Sequence, residues 1–454
     1  MLRAIGADVY VCRLPAMPVG RKVGVDDFFA DGHTVDDLSG LIGPHIPSAH
    51  ALQEPYREHD GRIERFVPPK QREEDGQFVA VTLNYTAQVV AEKVWDDGID
   101  QNLVFTIEGA LSDGRQLATV DVPAAQFQSW SWVTSRWGIR ARLTVGMNAE
   151  KHAPAAVQYL SGDVPQRLVF GHTGWRHVNG RNVFLHADGA IGEDGLDESI
   201  ETELDQFLKP FALPEPPQGS QLLGAVRASV GVLCAAPAHI VGPLWACVWR
   251  SVFGDAAFSV FLVGPTGTRK SSLAAVLVSH FGASLARKES LTQNWSSTAN
   301  ALEGAAFYAK DVILVIDDFV PSRGTSGDRQ QMEKLASRIL RSSGNQSGRS
   351  RMKADGRLHA VRPNRALIVS TGEELPDGAS ELRRALVLEL SSGDIDLDGL
   401  TRCQVDGEEG MLTCCLAAFL QWAAPRLTDL RDRIRTAVRS SRDGTCLLYT
   451  SRCV

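Results

Sequence analysis

The residues with the clearest chemical signature form a glycine-rich run between two apolar segments. The run consists of Gly264, Pro265, Thr266, Gly267, Thr268, Arg269, Lys270, Ser271 and Ser272. The apolar residues Val260–Val263 precede it and an Ala- and Leu-rich stretch follows it, which is the strand, loop and helix order of a Walker A phosphate-binding loop. Backbone N–H groups at such a helix start cradle phosphates. Lys270 would then reach the β and γ oxygens of ATP, and Ser271 would hold Mg²⁺.

Arg269 departs from the strict motif, which has glycine immediately before the lysine. If the loop keeps its usual shape, a residue with a Cβ at positive φ costs on the order of 1 kcal/mol there. If the loop has a different shape, Arg269 adopts a backbone with negative φ and carries no such cost. The alternative interpretation of the whole run is a glycine turn in front of a core helix.

A second apolar run ends in two carboxylates. Residues 311–319 predict a buried strand that carries Asp317 and Asp318 near its end. We expect this strand to lie beside the P-loop strand, with Asp317 orienting Mg²⁺ through its water shell and Asp318 orienting the attacking water. Most ATPases of this class have glutamate at the second position, so the shorter Asp318 predicts slow hydrolysis or help from another residue.

Polar residues also end the next apolar run, at 365–374. Ser370 and Thr371 are candidates for a sensor that contacts the γ-phosphate or the water, and a Ser/Thr turn that ends the strand is the alternative. Arg383 and Arg384 follow in sequence. One of them is a candidate arginine finger on the ATP of a neighbouring subunit, with an ordinary ion pair as the alternative.

These motifs require a parallel sheet flanked by helices, and the rest of the chain is arranged around it. The 454 residues suffice for about three domains. We predict an α/β P-loop NTPase domain of AAA+/ASCE-like class, preceded by a β-rich α+β domain. The predicted domains and linkers are a linker at 44–75, the β-rich domain at 76–200, a linker at 201–220, a helical lead-in at 221–255, the ATPase core at 256–400 and C-terminal helices at 401–444. The two ends, described below, are predicted to be the remnant of another module at 1–43 and a sequencing artefact at 445–454.

Charge is distributed unevenly along the chain. The formal net charge is −7, so the composition as a whole does not indicate a nucleic-acid partner. Between Lys334 and Arg365, however, nine basic residues stand against one acidic residue, Asp355. This stretch predicts a helix at 329–341 and then a basic hairpin that contacts DNA, with a solvated basic surface as the alternative. The candidate DNA contacts are Arg349, Arg351, Lys353 and Arg357.

Three other features exclude classes of protein. The eight cysteines lack C-x-x-C and zinc-ligand spacing, which argues against a disulfide scaffold and predicts a reducing cytoplasm. Ala228–Trp249 is long and apolar, but Pro237 and Pro243 predict two short buried helices instead of a membrane span. His172 and His177 have no carboxylate close in sequence, so we predict structural roles for them.

Both ends of the sequence carry unusual segments. Residues 1–43 resemble the closing segment of the TOPRIM-like primase module catalogued as domain of unknown function 3854, whose metal carboxylates would lie upstream of Met1. Asp26 and Asp27 are therefore expected to begin a helix. Cys446–Ser451 has the sequence CLLYTS, which resembles a translated transposon end from sequencing libraries, and a natural apolar tail is the alternative.

Five motifs in order resemble the family numbered 927 among domains of unknown function. They are HTGWR at 172–176, GPTGTRKS at 264–271, WSSTANALE at 295–303, VIDDF at 315–319 and RSSGNQSGRSRM at 341–352. The resemblance covers roughly residues 78–400. The family occurs in bacterial mobile elements and prophages, its members look like AAA+ or MCM-like replicative helicases, and Arg269 suits its usual loop.

This resemblance implies an ATP-dependent DNA helicase or translocase of the bacterial cytoplasm. It implies ATP and Mg²⁺ as ligands, single-stranded DNA as partner, a homo-oligomeric ring such as a hexamer, and no membrane association. One alternative is an ATP switch that hydrolyses slowly and acts as a helicase loader or replication initiator. Another, from a different class, is a small-molecule P-loop kinase, although no lid is evident and a small substrate does not require a basic hairpin.

Overall fold

The structure is a computed structural model of the chain. It describes residues 11–12, 14, 24–43, 54–67, 77–80, 83–143, 149–321, 325–345, 361–378 and 382–450. The chain divides into two compact units. The first consists of Met1–Ala91 with Phe105–Pro165, and the second of Glu92–Val104 with Gln166–Val454.

The first part of the chain, to Ser161, contains eight strands and five helices among the described residues. The strands are β1 Val11–Cys12, β2 Ile42–Gly43, β3 Tyr56–His59, β4 Arg62–Val67, β5 Gln77–Ala80, β6 Tyr85–Asp96, β7 Gln101–Leu111 and β8 Gln116–Pro123. The helices are α1 Val25–Ala30, α2 Val35–Gly40, α3 Ala124–Phe127, α4 Ser131–Trp137 and α5 Ala149–Ser161. As expected, Asp26 and Asp27 lie in the first turn of α1.

The segment expected as a linker at 44–75 contains regular structure. β3 and β4 form an antiparallel hairpin, and β4 pairs with β5. His59 pairs with Arg62 across the turn Asp60-Gly61, where both φ angles are positive, 51° and 65°. An Asp-Gly pair is a strong sequence signal for a two-residue hairpin turn. The charged residues around it obscured that signal.

The core of the first unit is rich in aromatic side chains. Trp130, Trp132 and Trp137 are buried together with Tyr85 and Phe127. The Trp130 indole N–H donates to the Tyr85 hydroxyl at 2.8 Å, so the polar atoms of these rings are paired. The helices α3 and α4 of this unit are separated where Trp130 adopts a φ of 56°.

The rest of the chain contains ten strands and eight α-helices among the described residues. The strands are β9 Gln166–Phe170, β10 Gly174–Val178, β11 Arg181–His186, β12 Gly189–Gly192, β13 Gly195–Asp197, β14 Glu201–Thr202, β15 Ser259–Val263, β16 Ile313–Phe319, β17 Leu367–Gly372 and β18 Ala385–Glu389. The helices are α6 Gly219–Gly231, α7 Ala238–Ser251, α8 Lys270–Val278, α9 Ala299–Tyr308, α10 Ser326–Asn345, α11 Leu397–Glu408, α12 Met411–Ala423 and α13 Leu427–Thr450. Short 3₁₀ turns include Val232–Cys234 and Lys288–Ser290.

The β-rich region expected at 76–200 is divided between the two units. Strands β10 to β13 form an antiparallel meander in the second unit. Trp175, Phe184 and Ile191 of this meander share one apolar core with the P-loop strand, and the Trp175 indole donates to the Val252 carbonyl at 2.7 Å. Burial of these large side chains against α7 and β15, which local sequence pattern does not report, places the meander in the same core as the parallel sheet.

The central sheet of the second unit is parallel, with the order β16-β17-β15-β18. The expectation that β16 lies beside β15 is wrong, because β17 lies between them: Ser370 pairs with Phe261 on one side and with Ile316 on the other. Strand order along the chain does not determine lateral order, since a helical crossover of sufficient length can skip a position. On the outer side of β16, Asn294 forms a parallel bridge with Asp317.

The apolar stretch expected as two broken helices is interrupted only once. The chain leaves the helix between Gly231 and Ala238, as Pro237 predicts, but α7 continues through Pro243. A proline inside a helix removes one backbone hydrogen bond, and burial of Val241, Leu244 and Val248 offsets that loss. Within the described residues, none of the helices has the length and apolar character that crossing a bilayer requires.

Candidate active site

The glycine-rich run connects a buried strand to a helix, which is the order that the phosphate-loop prediction requires. All five residues of β15 are buried, and α8 starts at Lys270 itself. The Lys270 side chain is only 9% exposed and folds back over the loop, where its Nζ donates to the carbonyls of Gly264 at 2.7 Å and Pro265 at 2.8 Å. An ammonium that caps carbonyls of an open loop is positioned to exchange them for phosphate oxygens.

Two glycines of the loop are required for different reasons. A Cβ at Gly264 would overlap the Leu390 carbonyl oxygen, which belongs to the backbone and therefore has little freedom to move. Gly267 has a φ of 87°, but a Cβ there would meet open space. The first glycine allows close packing and the second supplies left-handed backbone.

Arg269 adopts the left-handed backbone that the usual glycine would supply, with φ 63° and ψ 23°. Its own Cβ therefore carries the steric cost of about 1 kcal/mol that positive φ imposes on residues other than glycine. Of the two backbones considered for this position, the structure has the strained one.

The ends of β16 and β17 bring three polar side chains to the start of α8. The Ser271 hydroxyl donates to Asp317 Oδ1 at 2.7 Å, and the Thr371 hydroxyl donates to the same oxygen. These groups come from the helix after the P-loop, from β16 and from β17, so the tertiary fold alone places them together. One carboxylate with two hydroxyls suits a hydrated divalent cation that binds substrate phosphates as well.

Asp318 differs from its neighbour in conformation and exposure. Its φ is 63°, and the register of β16 with β17 shifts between Ile316 and Phe319. Its backbone N–H donates to Thr371 Oγ1 at 3.2 Å, while its side chain is exposed and lines the pocket. The bulge turns this carboxylate away from the strand and towards the space above the P-loop.

The two sensor candidates have different surroundings. Thr371 lines the pocket and contacts Asp317. Ser370 is completely buried, and its Oγ accepts a hydrogen bond of 2.7 Å from the indole N–H of Trp295. Because successive side chains of a strand point to opposite faces, only one of the pair reaches the pocket.

The pocket has a volume of about 230 Å³ and includes residues that the motifs did not predict. Glu373, immediately after β17, accepts a hydrogen bond from the Thr266 hydroxyl. Lys288, from the 3₁₀ turn Lys288–Ser290, adds a cation to the rim. The position of Glu373 directly after a predicted strand is a sequence signal for a pocket residue, whereas no local signal marks Lys288.

Ser272 also lines the pocket, and Thr268 is buried with its hydroxyl donating to the Pro265 carbonyl at 2.8 Å. The structure does not bring the two candidate finger arginines to this pocket. Arg383 and Arg384 precede β18, whose first residue pairs with Ser259 at the start of β15. They therefore lie at the opposite edge of the sheet from the P-loop of their own chain.

The four candidate DNA contacts, Arg349, Arg351, Lys353 and Arg357, lie outside the described residues. The predicted helix before them is present as α10. Its last turn lies at the strand-start edge of the sheet, because the Ser343 hydroxyl contacts the Phe258 carbonyl at 3.5 Å.

The conspicuous histidine of HTGWR is buried in the fold. His172 is fully buried, and its Nδ1 pairs with the Thr173 carbonyl at 2.7 Å. Burial, with a smaller contribution from Arg365, lowers the pKa of His172 to about 3. His172 is therefore neutral at physiological pH, which suits a structural role. Among the described residues there is no group of three His, Cys, Asp or Glu side chains placed to hold a metal ion.

Comparison with known proteins supports part of this interpretation. Residues 225–362 match the model of the family described as Domain of unknown function (DUF927), which is the family that the motifs predicted. The match covers less of the chain than the predicted 78–400 and does not include HTGWR. No curated protein matches the chain.

Several solved structures, two of them described as helicases, are similar to the chain at low identity. The structure described as SCCmec type IV Cch, an active helicase, is 13% identical with a TM-score of 0.45, over 81% of this chain and 65% of that one. The C-terminal region of NrS-1 is 11% identical with a TM-score of 0.27, over 68% and 64%. A JCV helicase is 14% identical with a TM-score of 0.27, over 47% and 61%. The chain thus spans less than two thirds of the length of each.

Proposed function

We propose that this chain is a P-loop ATPase of ASCE type that uses ATP hydrolysis to move along or unwind DNA. The observation that carries the proposal is the convergence of Lys270, Ser271, Asp317 and Thr371 at one edge of a parallel sheet. Ligands of open α/β sheets bind outside the carboxyl ends of the strands. The position of β17 between the P-loop strand and the strand of Asp317 supports the ASCE assignment.

Mg²⁺ and ATP suit the residues at this edge. Ser271 and Asp317 would hold Mg²⁺, which when bound neutralises phosphate charge. Lys270 would exchange the carbonyls of Gly264 and Pro265 for phosphate oxygens, and the N–H groups at the start of α8 would bind the phosphates. Thr371, whose hydroxyl contacts Asp317, is the better placed of the two sensor candidates.

Two carboxylates are placed to orient the attacking water. Asp318 lines the pocket from a bulge, and Glu373 lines it from the end of β17. The longer Glu373 would supply the reach that Asp318 lacks, and its contact with Thr266 holds it at the loop. We therefore assign water orientation to this pair.

DNA contact is assigned to the other edge of the sheet. The last turn of α10 and the start of β17, the described elements on either side of this basic stretch, lie at the strand-start edge. These two points are separated from the nucleotide pocket by the length of the strands. That arrangement suits a motor in which ATP and DNA bind at different surfaces, and it is not required of a small-molecule kinase.

The decisive experiment measures ATP hydrolysis by the full chain with and without single-stranded DNA. We expect DNA to raise the rate several-fold and Lys270→Ala to abolish it, because removal of one preorganised donor costs about 100-fold or more. Lys209→Ala is the matched control, since Lys209 is exposed and does not line the pocket. Equal hydrolysis by Lys270→Ala would contradict the proposal.

Two further outcomes distinguish the alternatives. ATP binding without turnover, with or without DNA, would favour the slow switch over the motor. A kinase would be favoured if DNA does not change the rate of ATP hydrolysis and light scattering shows that the chain stays monomeric in ATP. A ring assembled in ATP is the expected result for the motor.

A further inference from the structure

A second charged cavity lies at the strand-start edge of the parallel sheet. It has a volume of about 510 Å³, and the residues that determine its charge are Asp255, Lys310, Asp311, Arg365 and Arg431. Asp311 precedes β16 and Arg365 precedes β17, whereas Asp317 and Thr371 of the nucleotide pocket lie near the ends of the same strands. At about 3.3 Å per residue, the length of β16 separates the two pockets by roughly 20 Å.

The Asp311 carboxylate, which lines this cavity, already has a cation as its partner. Asp311 is 3% exposed, forms an ion pair with Lys310, and accepts a hydrogen bond of 3.0 Å from the Trp175 backbone N–H. Its φ is 58°, a left-handed backbone that favours glycine. A strained residue that holds a buried ion pair at a cavity wall is typical of a functional site.

The two arginines leave an excess of positive charge. Arg365 Nε and Nη2 donate to the Phe307 carbonyl at 2.7 Å and to the Asp97 carbonyl at 2.9 Å, both neutral acceptors. In the part of the chain that the structure describes, no carboxylate forms an ion pair with Arg365. Burial lowers the Arg365 pKa to about 10, which still leaves the guanidinium charged at neutral pH.

Arg431 completes the excess from helix α13. Its Nε donates to the Phe253 carbonyl at 3.1 Å, and its Nη2 lies 3.7 Å from Asp311 Oδ2, which Lys310 also contacts. The other acid at the cavity, Asp255, lies 3.2 Å from Arg435. Lys310, Arg365 and Arg431 therefore outnumber the one carboxylate that they share, because Asp255 is paired with Arg435, so the cavity carries an excess of positive charge that suits an anion.

We propose that this cavity binds a phosphodiester group of a nucleic-acid strand. A phosphodiester is an anion, and guanidinium groups are common partners of phosphate oxygens in proteins. Asn364 and Arg365 line the cavity, and in the sequence they come soon after the basic stretch that carries the candidate DNA contacts. The inference rests on the proposed function in one respect, that the chain acts on nucleic acid.

The test measures binding of a fluorescent single-stranded oligonucleotide to the full chain by anisotropy over a range of salt concentrations. Arg431→Gln should weaken binding by about five- to tenfold and reduce the slope of log K against log salt by about one. Arg433→Gln is the matched control, because it makes the same charge change on the same helix at an exposed residue. Equal affinities for these two variants would overturn the proposal.

A second variant keeps the test independent of folding. Asn364→Asp is nearly isosteric and keeps the acceptor for the Ala366 N–H, which lies 3.0 Å from Asn364 Oδ1. It places a negative charge in the cavity and should also weaken DNA binding several-fold, whereas Asn179→Asp in an exposed turn should not. Melting temperatures within a few degrees of the unsubstituted chain establish that the variants fold.

Two further measurements separate this inference from the proposed function. Lys270→Ala should keep its DNA affinity, and Arg431→Gln should keep the ATPase rate measured without DNA. If Lys270→Ala abolishes ATP hydrolysis but Arg431→Gln and Asn364→Asp bind DNA as tightly as the unsubstituted chain, the cavity proposal fails and the proposed function stands. If inorganic pyrophosphate binds to Lys270→Ala and DNA does not displace it, the cavity binds a free phosphate. That result would overturn the assignment to nucleic acid.

Discussion

The two edges of the parallel sheet hold charge in different ways. At the strand ends, Lys270 caps backbone carbonyls and Asp317 accepts from two hydroxyls, so these charges contact neutral groups that a ligand can replace. At the strand starts, Lys310 and Asp311 contact each other directly in a buried pair. The comparison shows that one sheet can carry an exchangeable site at one edge and a permanent ion pair at the other.

An Asp→Asn substitution should therefore mainly reduce stability at the strand starts and mainly reduce ATP turnover at the strand ends. Asp311→Asn should reduce the free energy of unfolding by about 3–5 kcal/mol, because removing one partner leaves Lys310 charged and buried. Urea denaturation monitored by tryptophan fluorescence measures this loss. Asp255→Asn is the control, since its ion pair with Arg435 is exposed and contributes about 0–1 kcal/mol. Equal losses in the two variants would contradict the assignment of a permanent pair.

At the other edge, Asp317→Asn should reduce ATP turnover by about 100-fold or more, because the cation and the developing phosphate charge lose their carboxylate. The unfolding midpoint should change little, since the amide oxygen still accepts from Ser271 or Thr371. Turnover at saturating ATP and urea denaturation of the same preparation measure both quantities. A variant that unfolds easily and yet hydrolyses normally would reverse the comparison.

Close packing of the phosphate loop gives the next largest effect. Gly264→Ala should destabilise the chain by about 1–3 kcal/mol and weaken ATP binding, because its Cβ meets a backbone carbonyl. Gly267→Ala has open space around it and should cost only about 1 kcal/mol for its left-handed φ. Thermal unfolding and titration with a fluorescent ATP analogue separate the two. Identical behaviour of both variants would show that the loop relaxes away from Leu390.

Buried neutral histidines predict a loss of stability in mild acid. The folded-state pKa values of His172, His186 and His280 are lowered by burial to about 3, 4 and 4. The unfolded chain binds protons near pH 6.5 and the folded chain does not, so stability is complete above that pH. It should fall between pH 6.5 and about 4, by up to about 1.4 kcal/mol per pH unit for each histidine.

Urea midpoints at pH 7 and pH 5.5 test this pH dependence. His172→Gln should make the dependence shallower, whatever its own stability, because one titrating group is removed. An unchanged slope in that variant would mean that His172 is accessible to protons in the folded chain.

The smallest expected effect concerns the departure from the Walker pattern. Arg269→Gly should stabilise the native loop by about 1 kcal/mol, because glycine adopts φ 63° without a steric cost. The greater freedom of glycine in the unfolded chain reduces part of that gain. Thermal unfolding and ATP affinity measured together show whether Arg269 also contacts nucleotide, in which case affinity falls as stability rises.

Motif spacing was enough to predict much of the second unit. Strands β15, β16 and β17 and helix α10 occur at the sequence positions that the apolar runs and their polar ends predicted. The contacts of Ser370 with Trp295 and of Glu373 with Thr266 were not predictable. Each joins residues at least 75 positions apart, and local pattern does not report such distances.

The sequence by itself determined which residues can bind phosphate and a cation, because glycine, lysine, hydroxyl and carboxylate groups occur at strand ends with recognisable spacing. Only the tertiary structure decided that β17 lies between β15 and β16, that Thr371 and not Ser370 reaches the pocket, and that Lys310, Arg365 and Arg431 surround one cavity. Lateral strand order and side-chain burial depend on packing across the whole core, since apolar area removed from water, and not local propensity, selects among the possible arrangements.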